Sequence, residues 1–338
     1  MTKTNFLKTA CVLCLMALCW LPINAQSGSM RGDVNQDGGV DITDATVLIN
    51  YLLTGDDTDV NLIMADVDNS GAVDISDATT LINFLLNGEW PEEPYELPEP
   101  ITFTVSGVSF QMMLVEGGTF TMGGRDDDPR ARPWEFPAHE VTLSDYYIGV
   151  TEVTQELYKA VMSSNPSWFT STNGYSTNLK RPVENITFAN AQSFITKLNQ
   201  KTGKTFRLIT EAEWEYAARG GRASQGYMFP GSDNVDEVAW HSGNTDDITS
   251  PVAQKLPNEL GLYDMGGNVE EWCADWYGLY TDAAQTNPTG PTSGTTRVVR
   301  GASWDQAWYS CRPSARHDGG IPTYAHARRG LRIAMTPQ

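Results

Sequence analysis

The 338-residue chain carries 42 acidic and 23 basic side chains, a net charge of −19, with 40% hydrophobic and 10% aromatic residues. Such an acidic surface excludes nucleic acid and anionic lipid as partners held by charge, and it favours divalent cations. Beyond the first 25 residues no segment has the length and apolarity to cross a bilayer.

Residues 1–25 read as a secretory signal: Lys3 and Lys8 give the positive end, an apolar run follows from Ala10 to Leu21, and Ala25 offers a small-residue cleavage point before Gln26. A lipoprotein alternative centred on Cys19 meets bulky Leu18 where a small residue belongs. Cleavage removes Cys11, Cys14 and Cys19, leaves Cys273 and Cys311, and takes the net charge to −21 over 313 residues. A chain of that size exceeds one compact core, so two domains are expected. The expected location is secreted, or the periplasm or surface of a bacterial cell, with no integral membrane segment once the signal is gone.

Residues 32–53 are echoed at 65–86 with an offset of 33. In the first copy Asp33, Asn35, Asp37, Asp41 and Asp44 take positions 1, 3, 5, 9 and 12 of a twelve-residue loop, with Gly38 at the turn and the Gly39 carbonyl at position 7. That density of oxygen donors is what a calcium ion with six to eight ligands demands. The second copy offers Asp66, Asp68, Ser70, the Ala72 carbonyl, Asp74 and Asp77. Ser70 replaces an acid at position 5, which predicts a weaker site. A helix-compatible apolar pattern follows each loop and stops at Gly55 or Gly88. Aspartate at position 12 and a single following helix make residues 32–88 resemble a dockerin. That resemblance implies Ca2+ as cofactor and a cohesin-like or other docking protein as partner, in an extracellular, often polysaccharide-degrading, system.

Glu89–Pro100 is an acidic proline-rich strip that reads as an extended linker. The expected division is therefore 1–25 signal, 26–88 calcium repeat, 89–100 linker and 101–338 second domain. In that second domain strands are expected over Thr104–Met122, punctuated by Gly117 and Gly118. Helices are expected over Thr154–Met162, Ala189–Gln200 and Thr210–Arg219, the last opened by a capping box from Thr210 to Glu213. Past Gly220 the texture is short strands and loops, which predicts an irregular α+β fold.

A set of motifs runs through this region: Met113–Gly123, Glu152–Val153–Thr154, Arg181–Ile186, Arg207–Gly221, Gly261–Trp272, Arg297–Trp304 and Arg329–Arg332. Together they are similar to the formylglycine-generating enzyme, or sulfatase-modifying factor, family. The resemblance implies a C-type-lectin-like fold stabilised by calcium, with Asp264, Gly267, Val269 and Glu271 in the calcium roles. The family's enzymes oxidise a sulfatase cysteine with oxygen and copper(I) held by two thiolates. Those two positions fall here on Gln306 and Cys311, the nearby histidine on Ala307 and a tryptophan on Glu270. Only Ser303 and Cys311 remain as candidate catalytic residues, and copper enters only if the oxidase reading holds. An amide is a poor ligand for the soft copper(I) ion.

The four histidines, His139, His241, His317 and His326, show no tight ligand spacing. Cys273 and Cys311 are either a disulfide closing a loop of about 39 residues, worth about 4 kcal/mol in the chain-entropy picture, or two buried thiols. Trp304, Trp308, Tyr309 and Tyr324 are expected near a groove. Three functions follow: a non-catalytic module binding a peptide, protein or glycan, a formylglycine-generating oxidase, or a structural component of a surface or secretion assembly.

Overall fold

The computed structural model describes residues 30–68, 70–90, 96–317 and 319–337. The expected signal at 1–25 and residues 91–95 of the proline-rich strip lie outside the described residues. The chain forms two compact units, Met1–Tyr95 and Glu96–Gln338. Among the described residues no helix is long and apolar enough to cross a membrane.

The first unit repeats one helix, α1 (Ile42–Thr54) and α3 (Ile75–Asn87), with the short α2 (Leu62–Ala65) between them. Each long helix opens on an aspartate, Asp41 or Asp74, whose carboxylate accepts the N–H two residues on, while Asp44 or Asp77 accepts the cap's own N–H. That reciprocal pair satisfies donors which a helix start otherwise leaves unbonded. Leu48, Ile49, Leu81 and Leu85 meet Val34 and Val67 in a core belonging to this unit alone.

The two ends of its described residues meet. The Trp90 ring stacks on Phe84 at 3.8 Å with 6° between planes, and the Arg31 guanidinium lies 5.0 Å above it. Gly32 makes room for this: a Cβ there would stand 2.5 Å from the Trp90 ring. Trp90→Ala is expected to remove about 1–2 kcal/mol of burial and stacking. For a unit of this size that is a fall of roughly 5–15 °C in melting temperature. Calorimetry of the full chain in excess calcium reads it, and an unmoved transition would rule the clasp out as a stabilising feature.

The strands of the second unit run β1 (Ile101–Val105), β2 (Val108–Val115), β3 (Gly118–Met122), β4 (His139–Leu143), β5 (Tyr146–Gly149), β6 (Phe206–Leu208), β7 (Glu270–Trp276), β8 (Gln285–Thr286), β9 (Arg297–Arg300), β10 (Arg329–Gly330) and β11 (Ile333–Met335). A five-stranded antiparallel sheet has the order β1-β2-β5-β11-β6, and two three-stranded sheets have the orders β10-β7-β9 and β3-β4-β8. The first and last strands thus share one sheet.

Four helices complete this unit, α4 (Gln155–Met162), α5 (Phe188–Thr202), α6 (Glu211–Ala218) and α7 (Val235–Val238). The first three match the expected windows to within two residues, because Thr154, Thr187 and Thr210 each accept the N–H three positions on. Tyr158 and Phe194 stack at 5.2 Å where α4 meets α5, inside a core that includes Trp272, Phe206 and Leu331. Helix α6 is buried on every side although it carries Glu211, Glu213 and Glu215. Arginines make this possible: Arg316 pairs with Glu211, Arg207 with Glu213, and Arg300 and Arg219 with Glu215.

Candidate functional site

In the first loop Asp33 accepts the N–H groups of Asp37 and Gly38, Asp37 accepts that of Gly39, and Asp44 accepts those of Asn35 and Asp41. Backbone donors thereby fold the loop around its own carboxylates. Asp44 is fully buried, and burial chiefly, then the charges of Asp37 and Asp33, pushes its carboxyl pKa up. The second loop repeats the scheme with Gly71 on Asp66, Ser70 on Asp68, and Asp68 and Asp74 on Asp77. Asp66, Asp68 and Asp77 offer ligand oxygens all within 4.8 Å of one another, and Asp66 Oδ1 is buried without a partner. An orphaned carboxylate oxygen among two others is a cradle that fits a hard cation. The Ser70 hydroxyl turns aside to the Ala72 carbonyl.

In the second unit the stretch from Asp264 to Glu271 is the structural hub. Asp264, Gly267 and Asn268 all have left-handed backbone, at φ 56°, 80° and 58°. Gly267 admits no substitute, since a Cβ would fall 1.9 Å from the Trp240 carbonyl oxygen. The Asn268 side chain bonds Ser250 and Glu152, and its carbonyl accepts the Trp304 N–H. Asp264, Glu152 and Glu271 are buried together with Arg332, which donates to Glu271 and to the carbonyls of Tyr263 and Asp264. Three carboxylates against that guanidinium leave a deficit of positive charge. Burial pushes Asp264 up to about 6, and burial with the charges of Asp264 and Glu271 lifts Glu152 well above its usual range. Asp264 Oδ1 has no partner, whereas both Glu271 oxygens are occupied, by Trp214 and Arg332. The chemistry of this donor set fits one calcium ion beside Asp264. Glu152, whose two oxygens accept the Asn268 amide and the Val269 N–H, is the member of this buried cluster that sequence reasoning missed, although it stood in a quoted motif.

Gln306 is held by polar neighbours on two sides. Its amide nitrogen donates to Glu270 at 3.0 Å and lies 3.4 Å from His317 Nε2, and its oxygen meets the Ser303 hydroxyl at 3.2 Å. Glu270 is fixed by Arg329, and Asp305 by Ser303 and Arg328. Cys311 lies apart from this network, in an apolar cluster with Phe229, Val238, Ala239 and Ala302. Burial pushes its thiol up to about 12 and also raises that of Cys273, on β7. Both cysteines are free and buried, so of the two readings the structure has the thiols rather than the disulfide. One buried neutral thiol and an amide do not fit copper(I).

The four aromatics do not form one patch. Trp308 and Tyr309 pack edge-on at 5.7 Å with Arg130 above both rings. Trp304 packs on Phe169, and exposed Tyr324 lies beside His326.

Behind Phe169, Glu184 is buried, with one oxygen on the Phe169 N–H and the other unpartnered. Burial pushes its carboxyl up to about 7. The folded chain then holds a proton that the unfolded chain has already lost, over the window from about 4.5 to about 7. Its contribution to stability therefore falls as pH rises through that window. Glu184→Gln is expected to flatten the fall in melting temperature between pH 5 and 8, and a slope identical to the parent would show that the group titrates normally.

Comparison with known proteins places these features. The profile of the sulfatase-modifying factor enzyme 1-like domain matches residues 104–337, and that of the dockerin type I domain matches residues 31–86. The chain is 33% identical over 247 residues to the chaperone protein LppX of Paenibacillus barcinonensis, covering 58% of this chain and 79% of the relative. It is 27% identical over 292 residues to the formylglycine-generating enzyme of Thermomonospora curvata, covering 67% and 93%. The solved structure of Treponema denticola variable protein 1 is 33% identical with a TM-score of 0.64, covering 71% of this chain and all of that one. The chain spans 38% of the length of three chlamydial relatives that it also matches.

Proposed function

This chain belongs to the sulfatase-modifying factor enzyme 1-like family and carries a dockerin type I domain ahead of that module, and from that premise we propose a calcium-dependent docking protein whose larger unit binds a peptide or protein segment without catalysis. Its two loops, Asp33–Asp44 and Asp66–Asp77, hold calcium and present α1 and α3 to a cohesin-like partner in an extracellular, polysaccharide-degrading assembly. A further calcium ion on the unpartnered Asp264 Oδ1 clips the irregular stretch from Asp264 to Glu271, with the Gly267 and Val269 carbonyls as its backbone ligands and Glu271, already bonded to Trp214 and Arg332, at its edge. That ion neutralises carboxylates; it takes no part in a reaction.

The observation that carries the non-catalytic reading is the Gln306 side chain, tied to Glu270 and Ser303 where the family's oxidases need a thiolate. Copper(I) requires two soft donors, and Cys311 alone, apolar and neutral, supplies at most one. Copper-loaded protein incubated with a Cys-x-Pro-x-Arg peptide is expected to yield no aldehyde by mass spectrometry. Turnover by the parent protein that disappears in Cys311→Ser would overturn this reading in favour of the oxidase.

A further inference from the structure

A cavity of the second unit lies away from Gln306 and Cys311, neither of which lines it. It measures about 680 Å3 and is floored by Phe188, Ile195, Phe206 and Leu208, all members of the main core. A core that opens onto a cavity of this volume matches the size and apolar character of small-molecule sites, and water gains little from wetting such a floor.

Polar groups on its walls are mostly spent. Arg207 and Glu213 bond each other through two contacts, at 2.7 and 2.6 Å. Asp145 gives one carboxylate oxygen to the Gly117 N–H. Arg297, at the start of β9, is different. Its Nη1 donates to the Ala274 carbonyl, its Nε is buried with no partner, and among the described residues it has no ion pair with a carboxylate. The guanidinium is held between the rings of Trp276, at 3.5 Å, and Phe188, at 4.4 Å. Those rings fix its plane and strip its water, so an arriving anion meets an oriented, desolvated cation rather than a flexible, solvated one. Elsewhere in this unit Arg207, Arg219, Arg300, Arg312, Arg316, Arg328, Arg329 and Arg332 rest on carboxylates, whereas the buried Arg181, with Nε and Nη1 unpartnered, does not line this cavity. In a chain with almost twice as many acids as bases, an arginine at a cavity wall without one is a vacancy for an anion.

We infer that this cavity binds an amphipathic carboxylate, its apolar body against Phe188, Ile195, Phe206 and Leu208 and its carboxylate on Arg297. None of the residues that line it is among those around Gln306.

Isothermal calorimetry with phenylbutyrate and its uncharged counterpart phenylbutanol tests it on the full chain in calcium. The acid is expected to bind once per chain, at least tenfold tighter than the alcohol. Arg297→Gln is expected to weaken the acid at least tenfold and leave the alcohol unchanged. Thr196→Trp, an exposed position on α5 at the cavity rim, is expected to block both. No saturable binding of the acid overturns the proposal, as does binding that survives Thr196→Trp. Equal affinity for acid and alcohol overturns the anionic ligand class. If Arg297→Gln fails to fold, the acid–alcohol pair and Thr196→Trp still decide.

Discussion

Glu215→Ala is expected to destabilise the larger unit by about 3–5 kcal/mol, the cost of leaving buried charge uncompensated. Glu215 is fully buried in α6, and its carboxylate is shared by Arg300 at 2.6 Å and Arg219 at 2.7 Å, while it also caps the Gly123 N–H at 2.9 Å. Burial opposes its ionisation, yet the Arg219 and Arg300 guanidiniums outweigh that and hold its pKa below the usual carboxylate range. Removing the carboxylate leaves Arg300, itself fully buried, with a single acid nearby, Glu211 at 3.6 Å, and that one already serves Arg316. Glu215→Gln keeps the volume and one acceptor but not the charge, so most of the loss is expected to remain. Denaturant unfolding of the full chain separates the two units, and a loss below about 1 kcal/mol for Glu215→Ala would mean that water reaches Arg300 and replaces its partner.

Removing calcium is expected to unfold the first unit while leaving the second folded up to a higher temperature. Between residues 30 and 90 there are 12 acidic side chains and one basic one, Arg31. The paired helices must therefore close over two nests of aspartates with almost no internal countercharge. Bound calcium at a hundredfold excess over its dissociation constant contributes about 2.7 kcal/mol per site, which is a large part of what a unit this small possesses. Asp44→Ala combines two losses. It removes a position-12 ligand and also the acceptor that fixes the N–H groups of Asn35 and Asp41. It is expected to weaken the first loop more than Ser70→Ala weakens the second, because Ser70 places its hydroxyl on a backbone carbonyl. Circular dichroism with EGTA and with added calcium reads both effects, and helicity indifferent to EGTA would show that the loops stand without metal.

Much of the scaffold was legible from residue patterns because local chemistry dictates it. Thr154 and Thr210 cap helices whether or not anything packs on them, and the 33-residue echo means that one loop predicts the other. The candidate sites were less legible. Asp264 and Glu271 stand in one motif, but Glu152, more than a hundred residues earlier, joins them through bonds from the Asn268 side chain and the Val269 N–H. Whether Cys273 and Cys311 bond is a matter of where two distant backbones point, and spacing says nothing of that. The aromatic side chains around 304–324 are neighbours in sequence, but the turns between them send Trp308 and Tyr324 to different partners. Arg297 likewise belongs to a motif, and nothing in that motif reveals an opening in the core beside it.

The clasp at Trp90 has a mechanical meaning. Trp90 is the second residue of the 89–100 strip that joins the two units, so tension carried along that strip enters the first unit here. Pulling on that strip draws first on a ring wedged between Phe84 and the Gly32 backbone, before it reaches the C-terminal turn of α3. The second loop lies one helix further back, so a pull on the strip meets the Trp90 stack before it meets either that helix or the aspartates behind it.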